Sequence, residues 1–204
     1  MCVVHELIDG YWHRTAIDKR PVSGSVQVDI HGPAGDQHLD ASHGGVDAAV
    51  YVYAEEDAAY FAELLGHEVP AGWFGENLRV RGLDVTGALL GERWLVGDVE
   101  TGTVLEVRKP RTPCRNLSMH VGVEGFHLDF VRTGRVGAMC RVVSVGKVEA
   151  GDSITTVHRP SHEVSIGVLV AGMSGSQAAE LLASDAALTT GIRAKARRRV
   201  QRDH

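Results

Sequence analysis

Up to about residue 157 the chain is a series of short apolar, β-branched runs, each ended by Gly, Asp or Pro. The runs fall at residues 22–30, 49–53, 77–80, 103–107, 136–145 and 153–157. Short strands punctuated in this way predict a mainly β architecture, a barrel or sandwich. Gly97-Asp98 and Gly151-Asp152 stand just before strand-like segments and read as loop corners, where Gly supplies positive φ and Asp bonds nearby backbone. One helix is read among the strands. Glu55-Glu56-Asp57 suit the positive end of a helix dipole, Tyr60, Phe61, Leu64 and Leu65 recur at helical spacing, and Gly66 can close it. At His158-Arg159-Pro160-Ser161 the pattern changes, and residues 164–172, 177–183 and 186–201 read as three short helices. The predicted organisation is a β-barrel domain over residues 1–158 and a small three-helix module over 159–204.

The formal charge of −5 argues against nucleic acid as a main partner. The opening residues lack the charged-then-apolar order of a signal peptide, and no apolar run approaches the roughly 18 residues of a membrane span. Three widely spaced cysteines make a poor disulfide framework, which points to a reducing cytoplasm. With no CxxC pair, a cysteine-built zinc site is not expected.

The most informative stretch is Val107-Arg108-Lys109-Pro110-Arg111-Thr112-Pro113-Cys114-Arg115-Asn116. Two prolines stop ladder pairing and force an extended turn. The cysteine that follows is flanked by Arg111 and Arg115, and cations beside a thiol favour the thiolate, a metal ligand or nucleophile. A buried structural cysteine fits this segment alone about as well. In His43-Gly44-Gly45-Val46-Asp47 the glycines let backbone N–H groups approach an anion or cofactor, although a plain glycine turn entering a strand explains them too. Gly75-Glu76-Asn77-Leu78 offers acceptors and donors for a heterocycle between a turn and a strand.

Taken in order, His43-Gly44-Gly45 with Asp47, Gly75-Glu76-Asn77-Leu78, Pro110-Arg111-Thr112-Pro113-Cys114, Gly134-Arg135-Val136-Gly137-Ala138 and Gly151-Asp152 resemble the signature of the MOSC family. That family is named for the C-terminal domain of molybdenum-cofactor sulfurases. The chain is most similar to its stand-alone YiiM-like branch, which adds a C-terminal three-helix domain. The resemblance implies a barrel-like domain holding a molybdenum–pterin cofactor, with Cys114 as the catalytic residue and thiolate ligand of molybdenum. It implies cofactor contacts from His43, Gly44, Gly45, Glu76, Asn77, Arg111, Arg115 and Asn116. The implied reaction is reduction of an N-hydroxylated small molecule, such as a purine or amidoxime, to its N–H form. Where many YiiM-like sequences have lysine, this chain has Asn116. No flavin, haem or iron–sulfur motif is present, so electrons would come from a separate reductase. No membrane partner is implied, and a homodimer is left open.

Three further readings stand beside this one. The same cysteine would serve a non-catalytic carrier of molybdenum cofactor or persulfide sulfur. A cysteine hydrolase would need His43 or His120 beside Cys114. The run Arg193-Ala-Lys195-Ala-Arg197-Arg198-Arg199 reads as a solvated helix end or as a dock for an acidic electron donor.

Overall fold

The computed structural model describes residues 1–10, 14–39 and 44–202. It opens with an irregular antiparallel hairpin of β1 (Cys2–Asp9) and β2 (Arg14–Pro21). Then come β3 (Val26–Asp29), β4 (Gly32–Pro33), a 3-10 turn (Val46–Ala48), β5 (Val50–Ala54), α1 (Glu55–Leu65), β6 (Leu78–Val80), β7 (Arg93–Val96) and β8 (Thr103–Pro110). The order continues through α2 (Arg115–Val121), α3 (Phe126–Arg132), β9 (Ala138–Ser144), β10 (Gly146–Val148) and β11 (Ile154–His158). It ends in α4 (Ile166–Ala171), α5 (Gly175–Ala183) and α6 (Thr190–Arg202).

Six strands curl into a half-barrel in the order β11-β7-β8-β9-β5-β6, and β10-β3-β4 form a smaller sheet. The large sheet is antiparallel except at β5–β6. That parallel pair follows from the connection, because two parallel neighbours need a long crossover and α1 provides one. The mainly β barrel-like class with C-terminal helices is therefore the observed architecture. No helix of the described residues is long and apolar enough to cross a membrane.

Helix α1 starts with the acidic turn expected of it and ends at Gly66, whose left-handed φ of 73° an L side chain rarely adopts. Its apolar quartet divides: Phe61 is fully buried and stacks on Phe130 at 4.9 Å, whereas Tyr60 and Leu64 are exposed. Strand β5 is buried along its whole length, as a central strand covered on both faces should be. Ile166, Leu169, Ala178, Leu181 and Ala196 of the C-terminal helices belong to the same buried apolar cluster as the sheet. His162 fastens the start of this segment. Its Nε2–H donates to Leu90 O at 2.9 Å, and Nδ1 accepts from Val164 N at 3.1 Å, a pattern that requires the neutral ring.

Several expectations need correction. The strand expected over residues 22–30 is confined to Val26–Asp29, and the β1–β2 hairpin and β7 had not been anticipated. The β region also contains α2 and α3, not the single helix expected. Both are only seven residues long, and glycines in left-handed geometry bound them, Gly122 after α2 and Gly125 before α3. Helices this short carry too few turns to show a periodicity.

Candidate active site

The cysteine motif lies where β8 runs out. Pro110 pairs with Ala138 of β9, and beyond it Arg111 N still reaches Gly137 O at 3.3 Å. Pro113 is buried, and Cys114 is extended (φ −116°, ψ 177°) immediately before α2, with Leu117 N returning to its carbonyl at 3.0 Å. The prolines thus turn a paired strand into an extended arm whose cysteine is held at the entrance to a helix. Cys114 is half-buried and unpaired in any disulfide.

This arm forms one wall of a cleft of about 410 Å³, a volume within the roughly 300–1,000 Å³ of small-molecule sites. Gly44, Asn77, Arg111, Cys114 and Asn116 all line it. Gly44 has φ +95°, and a Cβ there would strike the His38 ring, so glycine lets this loop close against the His38 segment. Gly45 is not on the lining and begins the 3-10 turn. Arg115 is exposed and also off the lining. His43 lies outside the described residues.

Glu76 stands behind the wall. It is fully buried, and its carboxylate accepts from Gly72 N at 2.8 Å and Phe74 N at 3.0 Å while pairing with Arg79. Those contacts commit both oxygens to holding the Gly72–Gly75 turn. Asn77 borders the cleft, but its side chain is a hub. Nδ2 donates to Cys2 O at 3.2 Å and to Asp36 Oδ2 at 2.8 Å, and Oδ1 accepts from Tyr51 N at 3.0 Å. It ties β1, β5 and the Asp36 segment together at the rim.

The cleft is cationic in a chain of net negative charge. Arg14, Lys19, His38, Lys109 and Arg111 line it, and among the described residues no carboxylate does. Lys19 is committed, since its Nζ meets Asp36 Oδ2 at 2.7 Å in a buried pair, and burial pushes its ammonium below the usual lysine range. Arg111 is different. Its guanidinium lies over the Tyr51 ring (5.4 Å) and the Phe130 ring (5.8 Å), and among the described residues its buried Nη1 has no hydrogen-bond partner. Tyr51 is locked beneath it by a 2.8 Å bond to Val136 O, and burial pushes its phenol well above the usual range. A buried charged donor without an acceptor is costly, so this arrangement is suited to an anion from outside the chain.

His120 does not line the cleft. It packs on Trp73 with ring centroids 4.8 Å apart, and burial lowers its pKa. The basic cleft residues that the sequence reading did not assign to the site are Arg14, Lys19, His38 and Lys109. Lys109 was accessible in principle, because it lies two residues before Arg111 on a strand-like segment. The others belong to segments whose structure had not been read.

The comparisons with known proteins agree with this architecture. The MOSC domain model matches residues 40–155. The chain is 32% identical over 159 residues to the uncharacterized protein YflK of Bacillus subtilis, covering 78% of this chain and 70% of that one. It is 30% identical over 151 residues to protein YiiM of Escherichia coli, covering 72% of this chain and 66% of YiiM. A protein of Gibberella moniliformis called "Reductase" is 29% identical over 158 residues, 74% of this chain but only 27% of that protein. Among solved structures, YiiM from Geobacillus stearothermophilus superposes with a TM-score of 0.74 at 23% identity, covering 98% of this chain and 99% of the other. YiiM from Escherichia coli gives 0.71 at 26% identity, covering 88% and 87%. The chain belongs to the MOSC-domain family, which links it to molybdenum-cofactor chemistry.

Proposed function

We propose that the cleft binds a molybdenum–pterin cofactor with Cys114 as the protein's thiolate ligand, and that the protein reduces N-hydroxylated compounds to their N–H forms. The observation that carries this reading is the half-buried thiol of Cys114 on a basic cleft that, among the described residues, has no carboxylate on its lining and leaves Nη1 of Arg111 without a hydrogen-bond partner. The donor set fits the group. A thiolate is a soft ligand suited to a redox-active metal that also has dithiolene sulfur, and a guanidinium can grip a phosphate through two parallel hydrogen bonds. When bound, the cofactor supplies the two-electron chemistry.

The residues of the chain do the rest. Arg111 binds and orients the cofactor's phosphate, and the Tyr51 and Phe130 rings hold the guanidinium in place. Asn116, 3% exposed on the first turn of α2, brings an amide to the cleft wall for the heterocycle. His38, with Nε2 4.0 Å from Asp36 Oδ2, is an imidazole on the wall able to deliver a proton to the departing hydroxyl. The overall change consumes two electrons and two protons and releases water. The electrons come from a separate reductase, and the name of the Gibberella relative is consistent with reductive chemistry.

The test is turnover of an N-hydroxylated purine by cofactor-loaded protein, with reduced methyl viologen as the electron source. Wild type is expected to produce the amine and Cys114→Ser to lose that activity, because a hydroxyl is a harder and far less acidic ligand. Loaded wild type that stays inert, yet transfers molybdenum cofactor to an apo-enzyme, would establish the carrier role instead.

A further inference from the structure

The cleft presents positive charge beyond Lys19 and Arg111. Lys19 is neutralised by Asp36, and Arg111 is the buried cation with an open donor. Two cations remain. Lys109 is half-buried on the lining, and among the described residues its side chain joins no ion pair and no hydrogen bond. Arg14 is exposed at the start of β2, and its one hydrogen bond among the described residues is a 3.3 Å contact from Nη2 to Leu7 O. Uncommitted cations around a concave surface, with no carboxylate among its described lining residues, concentrate anions there and disfavour cations.

We infer that the substrate reduced in this cleft carries a phosphate, as an N-hydroxylated nucleoside monophosphate does, and that Lys109 and Arg14 hold it. The inference rests on the reductase reading above. Lys109 and Arg111 occupy alternate positions at the end of one strand, so one arm presents two cations to the same space. The deeper one serves the cofactor, and the shallower one faces whatever enters after it. The reaction is unchanged by this assignment: the N–O bond breaks, the amine keeps its nitrogen, and the hydroxyl leaves as water with the electrons and protons already stated.

The experiment compares N-hydroxycytidine with its monophosphate, using cofactor-loaded full-length protein and reduced methyl viologen. The monophosphate is expected to have the higher kcat/KM by roughly 10- to 100-fold, the size of one charge-assisted hydrogen bond at a partly exposed site. Lys109→Gln should collapse that ratio through KM while molybdenum content stays at the wild-type level, Lys109→Arg should preserve it, and Arg14→Gln should reduce it. Calorimetric binding of cytidine monophosphate against cytidine gives a readout that does not depend on turnover. A ratio near one in wild type overturns the inference, as does a ratio indifferent to both Lys109→Gln and Arg14→Gln. Loss of molybdenum in Lys109→Gln also overturns it, by placing Lys109 on the cofactor. An equal gain from a carboxylate, seen with para-carboxybenzamidoxime against benzamidoxime, overturns the assignment to phosphate. If neither nucleoside nor nucleotide is reduced by loaded protein, the reductase reading falls, and the calorimetric comparison still decides whether Lys109 and Arg14 select phosphate.

Discussion

Strand β8 and the arm that continues it set basic side chains in two surroundings, and the surroundings differ in what they leave unsatisfied. In the first, Glu106 is 1% exposed and takes an ion pair from Arg93 at 2.8 Å, from Arg108 at 2.8 Å and from Arg141 at 2.9 Å. Burial alone would raise this carboxyl, yet the three guanidinium groups hold it below the usual range. Arg108 also bonds Asp47 at 2.7 Å and the carbonyl of Ala187, which fastens the turn after Gly45 and the α5–α6 connection to the sheet. In the second, Lys109 and Arg111 line a cleft whose described residues include no carboxylate. The charge of the first group is paired within the chain and ties strands and loops together. The second group has no carboxylate facing it among the described residues and is open to an anion from outside.

The largest effect should come from opening the closed network. Glu106→Gln leaves three arginines facing a neutral amide, and a cost of about 3–5 kcal/mol in unfolding free energy is expected from denaturant titration. Arg111→Ala is the matched change on the other side. It removes a guanidinium that no carboxylate pairs among the described residues and loses only its packing on the Tyr51 and Phe130 rings, so its effect on stability should be smaller. If Arg111→Ala destabilised the protein as much as Glu106→Gln, the contrast between the two surroundings would be wrong.

Next in size is the effect of Arg111→Ala on cofactor retention. Losing a charge-assisted contact of about 1.5–3 kcal/mol weakens retention by roughly 10- to 100-fold, read as molybdenum per chain after dialysis. Cys140 is the control for the thiol. It is fully buried on β9, and burial pushes its thiol well above the usual range. Cys140→Ser should therefore cost about 1–3 kcal/mol of stability through a buried hydroxyl and leave molybdenum content intact.

The smallest effect expected is a pH dependence from His162. Burial lowers its pKa from 6.5, so the folded state favours the neutral ring more than the unfolded chain does. The stability gained is fully present above about pH 6.5 and is lost as pH falls from there through the lowered folded value. Melting temperatures between pH 7.5 and 5.5 should fall more in wild type than in His162→Gln. Parallel pH curves for the two proteins would remove His162 from the account.

What was legible in the sequence follows from these physical differences. Helix α1 could be read because an acidic first turn, an apolar spacing and a terminal glycine all agree. The cysteine arm could be read because its motif falls in order with four others that resemble the family signature, whereas the segment alone fits a buried structural cysteine about as well. The β1–β2 hairpin was hidden because both strands mix charged and apolar residues and pair with register shifts, so no two-residue period survives. Arg14, Lys19 and Asp36 were lost with it. Glu76 shows the opposite limit. Its residue type suits a cofactor contact, but the sequence does not reveal that Gly72, Phe74 and Arg79 already engage both oxygens. The order of the motifs pointed to the arm, whereas commitment to internal partners needed the fold.

The proposed function stands on Cys114 supplying a sulfur ligand to molybdenum. Molybdenum-edge X-ray absorption on protein purified from cofactor-replete cells, wild type beside Cys114→Ser, reads that ligand itself. The expected result is molybdenum in the wild type with one more sulfur ligand than in the variant. Equal sulfur counts in the two proteins, or a wild type that carries no molybdenum, would contradict it.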